Sequence, residues 1–343
     1  MLRNMVEMMK IYDVTLRDGS HAVNHMLTRE QIQEYCENVD DLGINYVEVG
    51  HGIGIGASSL LIGRGELNDL EMIKIARSRL RKSKLSIHVV PGYGTLTDIL
   101  SALDEGADAV RVATHCTEAD ISKRLIEFLA KRGIEVFGGL MMAHMASSDE
   151  LLSQAKKMES YGAKAVTLLD SAGNLTPKII NEIVSKLVTN LEIEVGFHAH
   201  NNLGLAVGNS CAAVSAGASL IDASINGFGA GAGNAPLEHI VSALSLNNLT
   251  NHIDINKVLE LSVISKSIFN YQPSNTIDDI VSGLSGVVSV FSKPVSAAAL
   301  EYDVDSKQIY FELGRRGAIA GQEDLIIEVA QKLANKYHSR KLK

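Results

Sequence analysis

Tryptophan is absent from the 343 residues, and proline numbers only five. Pro-rich linkers are therefore not expected anywhere in the chain. Cysteine is scarce too: Cys36, Cys116 and Cys211 are odd in number and far apart. That usage suits a reducing compartment without structural disulfides, and a cytoplasmic location is expected. It also leaves no cysteine cluster to cage a metal, so any metal site must rest on histidine and carboxylate. Positive charge is in deficit, with a formal net charge of −8. The deficit argues against nucleic acid or an anionic membrane as the main partner. No apolar run reaches the roughly 18 residues of a membrane span. The opening stretch, "MLRNMVEMMKIYDVTLRDG", lacks a signal-peptide core and leads straight into a strand-like run.

What is present is the mixture of a globular protein, 46% hydrophobic and 21% charged. Eight short β-rich runs recur: "IYDVTL" (11–16), "NYVEVG" (45–50), "LSIHVV" (85–90), "AVRVAT" (109–114), "IEVFGGLMM" (134–142), "AVTLLD" (165–170), "IEVGFHAH" (193–200) and "LIDASI" (220–225). Amphipathic stretches such as "TREQIQEYCENVDDLG" and "SSDELLSQAKKMESYG" lie between them. Several open on a Ser or Thr cap and close on Gly, as helices do. Eight strand–helix units at a spacing of about 25–35 residues predict an α/β fold, a (β/α)8 TIM barrel. "GIGIGAS" (52–58) has suggestive glycines, but it is weak evidence for a dinucleotide site without an acidic partner on the next strand. Beyond about Thr250 the pattern turns mostly helical. We expect a catalytic barrel over residues 1–260 and a C-terminal helical appendage over 261–343, with the basic end "KYHSRKLK" a frayed tail.

Function in such a barrel sits at the C-terminal ends of the strands. The first strand ends in "TLRDGSH", with Arg17, Asp18 and His21, and the second in Glu48 and His51. The fourth ends in His115 and Cys116, the sixth in Asp170 and Ser171, the seventh in His198 and His200. Side chains two apart on a strand share a face, so His198 and His200 point the same way. Facing the axis, they offer two nitrogen ligands, and Asp18 could add an oxygen from two strands away. Two His and one carboxylate leave coordination positions open, and suit Mn²⁺, Mg²⁺, Fe²⁺, Co²⁺ or Zn²⁺. The plainer alternative is a pair of core histidines bonded to neighbours. Arg17 suits a carboxylate or a developing enolate, or else a structural pair with Glu48. His21 stands where a general base is needed, or is a solvated loop histidine. "GFGAGAGNAP" (227–236) could bring backbone N–H groups to an anion. His115, Cys116 and Asp170 are read as pocket-lining or structural.

These motifs, with "THCTEAD", "LMMAHM", "GFHAHNNLGLAVGNS", "GAGAGNAPLE" and "LGRRGAIAGQEDLI", resemble the 4-hydroxy-2-oxovalerate aldolases over nearly the whole chain. "LRDG" with "HAH" is the mark of the wider HMG-CoA lyase-like superfamily; "THCTEAD" and "GAGAGNAPLE" are more specific to the aldolase branch. The resemblance implies a divalent metal, commonly Mn²⁺, held by Asp18, His198 and His200. It implies pyruvate and an aldehyde as substrates, Arg17 as enolate stabiliser and His21 as the base for the 4-hydroxyl proton. Arg17, Ser171, His198, His88 and Val288 are the expected substrate contacts. It also implies an acylating acetaldehyde dehydrogenase as partner, docked through the helical appendage, and a place in aromatic hydrocarbon catabolism. Homo-oligomerisation is left open.

Three departures touch the second substrate. Val288, in "SGVVSVF", stands where the family usually has a Tyr. His88 interrupts a strand that is usually aliphatic, and Ala320-Gly321 replaces a Gly-Gly before "QED". The alternatives are thus a related pyruvate aldolase using a larger or hydroxylated aldehyde without channelling, an acyl-CoA lyase or Claisen-type synthase, or a scaffold subunit.

Overall fold

The computed structural model describes residues 9–250, 252–271 and 275–341. Residues 1–8, part of the stretch read for a leader, lie outside the described residues. Eight parallel strands close into a barrel in chain order. They are β1 (Lys10–Asp13), β2 (Tyr46–Glu48), β3 (Lys84–Val89), β4 (Ala109–His115), β5 (Glu135–Met141), β6 (Ala165–Asp170), β7 (Glu194–Ala199) and β8 (Leu220–Ala223). β8 pairs with both β7 and β1 and completes the ring. Each predicted strand appears, mostly trimmed at its ends. The first stops at Asp13, because the Asp13 carboxylate accepts from Thr15 N at 2.9 Å and pulls the chain into a turn.

Helices α1 (Arg29–Val39), α2 (Asp69–Arg79), α3 (Leu96–Asp104), α4 (Lys123–Lys131), α5 (Ser148–Tyr161), α6 (Pro177–Asn190), α7 (Ala206–Ser215) and α8 (Leu237–Ser245) alternate with the strands. Their ends are written in the sequence. Thr28 caps α1, accepting from Gln31 N while the Gln31 side chain accepts from Thr28 N. Such a cap stabilises a helix by about 1 kcal/mol. α5 stops at Gly162, which takes φ of 103°. Strands covered by helices outside and filled within are buried on both faces, which is why they read as near-continuous apolar runs. Inside the barrel, Tyr12 stacks on Tyr46 with ring centroids 4.9 Å apart, and Phe137 meets both edge-on. These rings plug the barrel beneath the site.

After α9 (Ile255–Phe269) come α10 (Ile277–Ser285), α11 (Ser292–Glu301), α12 (Ser306–Arg315) and α13 (Asp324–Lys341). α9 packs on the barrel core through Val258, Leu261, Ile268 and Phe269. A division at 260/261 would cut through α9, so we place it between α9 and α10. α10 to α13 enclose a second core around Val287, Phe291, Val295, Ile309 and Leu313. At roughly 1.5–3 kcal/mol for each buried aliphatic or aromatic side chain, that core is a substantial source of stability on its own. The backbone of the basic end is helical through Lys341, rather than a frayed tail; residues 342–343 lie outside the described residues. The seam between the two cores is polar. His144 Nε2 lies 3.0 Å from Gly286 O, Asn174 donates to Gly283 O, and Asn202 donates to Asp279 O. No helix among the described residues is long and apolar enough to cross a membrane.

Candidate active site

The chain leaves β1 through a tight turn and enters a 3-10 segment, Asp18–Val23, that carries Asp18 and His21. Across β8, the end of β7 presents His198 and, just beyond it, His200, which bridges to Asn234. Among the described residues, Asp18, His198 and His200 are the one group of three such donors that could hold a metal ion, with ligand atoms all within 4.8 Å of one another.

The donor chemistry fits a divalent cation. His198 Nδ1 sits 3.0 Å from Asp222 Oδ2, which assigns the proton to Nδ1 and leaves a lone pair on Nε2. That Nε2 faces His200 Nε2 at 3.4 Å. Burial pushes His200 down to about 4, despite the opposing charge of Asp18, so its imidazole is neutral at pH 7. Burial works against charge on Asp18, but Arg17 and the surrounding histidines hold its carboxyl well below the usual carboxylate range. Two imidazole nitrogens and one carboxylate are a set that hard and borderline divalent ions accept.

Asp18 is held from two sides. Arg17 Nη1 donates to Oδ1 at 2.9 Å, and Asn234 Nδ2 donates to Oδ2 at 2.8 Å. Ala230 N lies 3.4 Å from the same Oδ2. The glycine-rich 227–236 loop thus does meet an anion, and that anion is the protein's own Asp18. Gly229 is needed there, since a Cβ would stand 2.5 Å from the Asn234 amide.

Arg17 is buried and forms the expected pair with Glu48, Nε to Oε2 at 2.6 Å. Its Nη2 finds no hydrogen-bond partner among the described residues, and the side chain lines a cavity of about 340 Å³. His21 lines the same cavity, and burial lowers its pKa, with Asp18 opposing and Arg17 and His51 assisting. It packs edge-on against His25, which stacks on His51 at 3.8 Å. His51 is anchored to Gly63 O and stands behind the site.

Ser171, His88, Val288 and Ala320 also line the cavity, beside Asp18, His198 and His200. All three departures from the expected pattern therefore meet in one space. Burial pushes His88 down to about 4, and its Nδ1 is 3.6 Å from Glu48 Oε1. His115 lines the mouth. Burial pushes the Cys116 thiol up to about 11, which suits an inert core residue. Asp170 accepts from Asn174 N and Leu175 N and shapes its own loop. Sequence reasoning missed Asn234, Asp222 and Arg111. The last two are charges inside otherwise apolar strand runs, a signal that was available.

A family model described as HMGL-like matches residues 8–264. The chain belongs to the HMGL-like family. A second model, the DmpG-like communication domain, matches residues 273–335, which takes in α10 to α12 and most of α13. This HMGL-like chain is 49% identical over 334 residues to the 4-hydroxy-2-oxovalerate aldolase of Pectobacterium atrosepticum, covering 97% of each chain. It is 50% identical over 328 residues to that of Spirochaeta aurantia, covering 95% of this chain and 96% of the relative. Among solved structures, the carboxyl transferase domain of Rhizobium etli pyruvate carboxylase superposes with a TM-score of 0.80 at 15% identity, over 97% of this chain and 61% of that one. At that identity the likeness is one of fold.

Proposed function

We propose that the chain is a divalent-metal-dependent aldolase that cleaves 4-hydroxy-2-oxo acids such as 4-hydroxy-2-oxovalerate into pyruvate and an aldehyde, and joins them in reverse. It is a carbon–carbon lyase. The observation that carries the reading is the convergence of Asp18, His198, His200, Arg17 and His21 on one cavity, in a chain about half identical to aldolases of that name. A metal held by Asp18, His198 and His200, Mn²⁺ by our choice, would supply Lewis-acid polarisation of the 2-oxo carbonyl. Arg17 has Nη2 free to meet the negative charge that gathers on the oxo oxygen. Its pair with Glu48 fixes the plane in which it can do so. His21, neutral by burial, takes the 4-hydroxyl proton. The C3–C4 bond then breaks, its electron pair stays with the three-carbon fragment as pyruvate enolate, and C4 leaves as the aldehyde. The enolate gains a proton at C3, equal to the one His21 took from the 4-hydroxyl and now gives up, which completes pyruvate and returns His21 to its neutral form. Ser171 is expected to hold the oxo-acid end; His198, its Nδ1 given to Asp222 and its Nε2 to the metal, would act on that end only through the metal.

The appendage is proposed to dock an acylating acetaldehyde dehydrogenase, a reading supported by the communication-domain match over 273–335. A second reading concerns the aldehyde. His88, Val288 and Ala320 share the cavity, which favours a larger or hydroxylated aldehyde over acetaldehyde.

Pyruvate release from 4-hydroxy-2-oxovalerate tests the main reading. EDTA should abolish it and Mn²⁺ restore it. Release that survives EDTA overturns the metal-dependent reading. CoA release from an acyl-CoA in a thiol-reagent assay, without aldol cleavage, would instead favour the synthase or lyase branch.

A further inference from the structure

Arg111 has no part in the chemistry just described, yet it is the largest fully buried side chain among the described residues. It stands on β4 inside the barrel, its guanidinium carbon 3.7 Å from the centre of the Tyr12 ring. Stability alone does not account for it, because a buried ion pair is often no more stabilising than apolar residues of the same volume. Its contacts give it a direction. Nη1 and Nη2 grip the two oxygens of Asp222 on β8 at 2.5 and 2.9 Å, and Oδ2 of Asp222 meets His198 Nδ1 at 3.0 Å. The opposite edge, Nε, faces Glu48 Oε1 on β2 at 3.6 Å. The other oxygen of Glu48 holds Arg17, which in turn holds Asp18. One buried chain of alternating charge thus runs Asp18, Arg17, Glu48, Arg111, Asp222, His198. Both of its ends are members of the candidate metal triad, and Arg111 stands between the two carboxylates.

We infer that Arg111 is a positioning residue that braces both functional ends of the site at once: the His198 imidazole through Asp222, and the Arg17 guanidinium through Glu48. The inference rests on Asp18, His198 and His200 being the metal ligands. A planar fork is required for the task. Lysine carries the charge but cannot hold two oxygens of Asp222 in a plane while keeping positive charge 3.6 Å from Glu48 Oε1, a contact that is an ion pair and not a hydrogen bond. The two carboxylates divide the work, so their variants should separate what the Arg111 variant combines.

The test is Mn²⁺ binding to the metal-free full chain, read by electron paramagnetic resonance, beside kcat and KM for pyruvate release. Asp222→Asn should weaken Mn²⁺ binding about 10–100-fold, the usual cost of losing such an outer partner. Glu48→Gln should lower kcat and weaken Mn²⁺ binding less than Asp222→Asn does, because it reaches a metal ligand only through Arg17 and Asp18. Arg111→Lys, which keeps the charge, should do both. Arg111→Lys combined with Asp222→Asn should bind Mn²⁺ no more weakly than Asp222→Asn alone, because the two act through one path. Wild-type Mn²⁺ affinity in a folded Arg111→Lys, or a fully additive double variant, overturns the brace. Wild type that takes up no Mn²⁺ overturns the metal reading, and the brace with it.

Discussion

The two walls of the cavity are built on different principles. The wall from β1 and β7 carries Asp18, Arg17, His198 and His200, all buried, and its charges are compensated by named partners. The wall from β3 and the appendage carries His88, Val288 and Ala320, where side-chain size and a single imidazole are the variables. The first wall tolerates little change, because a buried charge that loses its partner leaves the other uncompensated. The second can change shape at lower cost at Val288 and Ala320, while His88, its Nδ1 3.6 Å from Glu48 Oε1, ties it to the first. In our reading, bond cleavage belongs to the first wall and the choice of aldehyde to the second.

Breaking the first wall should give the largest effect. His200→Ala should lower kcat for pyruvate release by about 10³-fold or more, since Lewis-acid polarisation is worth several kcal/mol and each 1.36 kcal/mol is tenfold. A coupled assay for pyruvate, with excess Mn²⁺ present, checks it. His21→Ala should cost about 10²–10⁴-fold in cleavage. It should also remove a feature of the pH profile. Burial lowers the His21 pKa from its ordinary 6.5, so neutral His21 persists below pH 6.5, and kcat/KM should begin to fall only on the acid side of that value. Without His21 that acid limb should vanish.

The second wall should respond in preference rather than in rate. His88→Leu should shift the ratio of kcat/KM for hydroxylated over simple aldehydes toward the simple ones by about tenfold, the scale of one pocket contact. Products from a mixed panel of aldehydes with pyruvate, read by mass spectrometry, give the ratio directly. Ala320→Gly, the removal of one methyl group, should move the ratio least, by a few-fold at most. A large loss of total rate in either variant would mean that the two walls are not separable.

Most of the first wall was legible in sequence. A period-two strand ending in "HAH" and a strand ending in "LRDG" suffice once eight units imply a closed barrel, because closure places β7 two strands from β1. The alternation rule puts His198 and His200 on one face without any coordinates. What escaped lies deeper along the strands. Arg111 sits in "AVRVAT" and Asp222 in "LIDASI", 111 positions apart, and nothing local pairs them. Their partnership exists only through barrel closure and register. Asn234 escaped for a similar reason: its link to Asp18 spans 216 positions. The cut at 260/261 falls inside α9, which is helical like the appendage but packs on the barrel, a distinction that periodicity does not carry.

The polar seam has a consequence for how such chains diversify. His144, Asn174 and Asn202 of the barrel all grip backbone carbonyls of the appendage, at Gly286, Gly283 and Asp279. A carbonyl is the same whatever side chain it belongs to. The bonds themselves read no side chain, but the close approach does: a Cβ at Gly283 would stand 2.8 Å from Asn202 Cβ, and Gly286 takes φ of 69° with His144 Nε2 only 3.1 Å from where its Cβ would be. Side chains of the appendage away from Gly283, Gly286 and its own core can therefore change, and the barrel will still hold the same carbonyls.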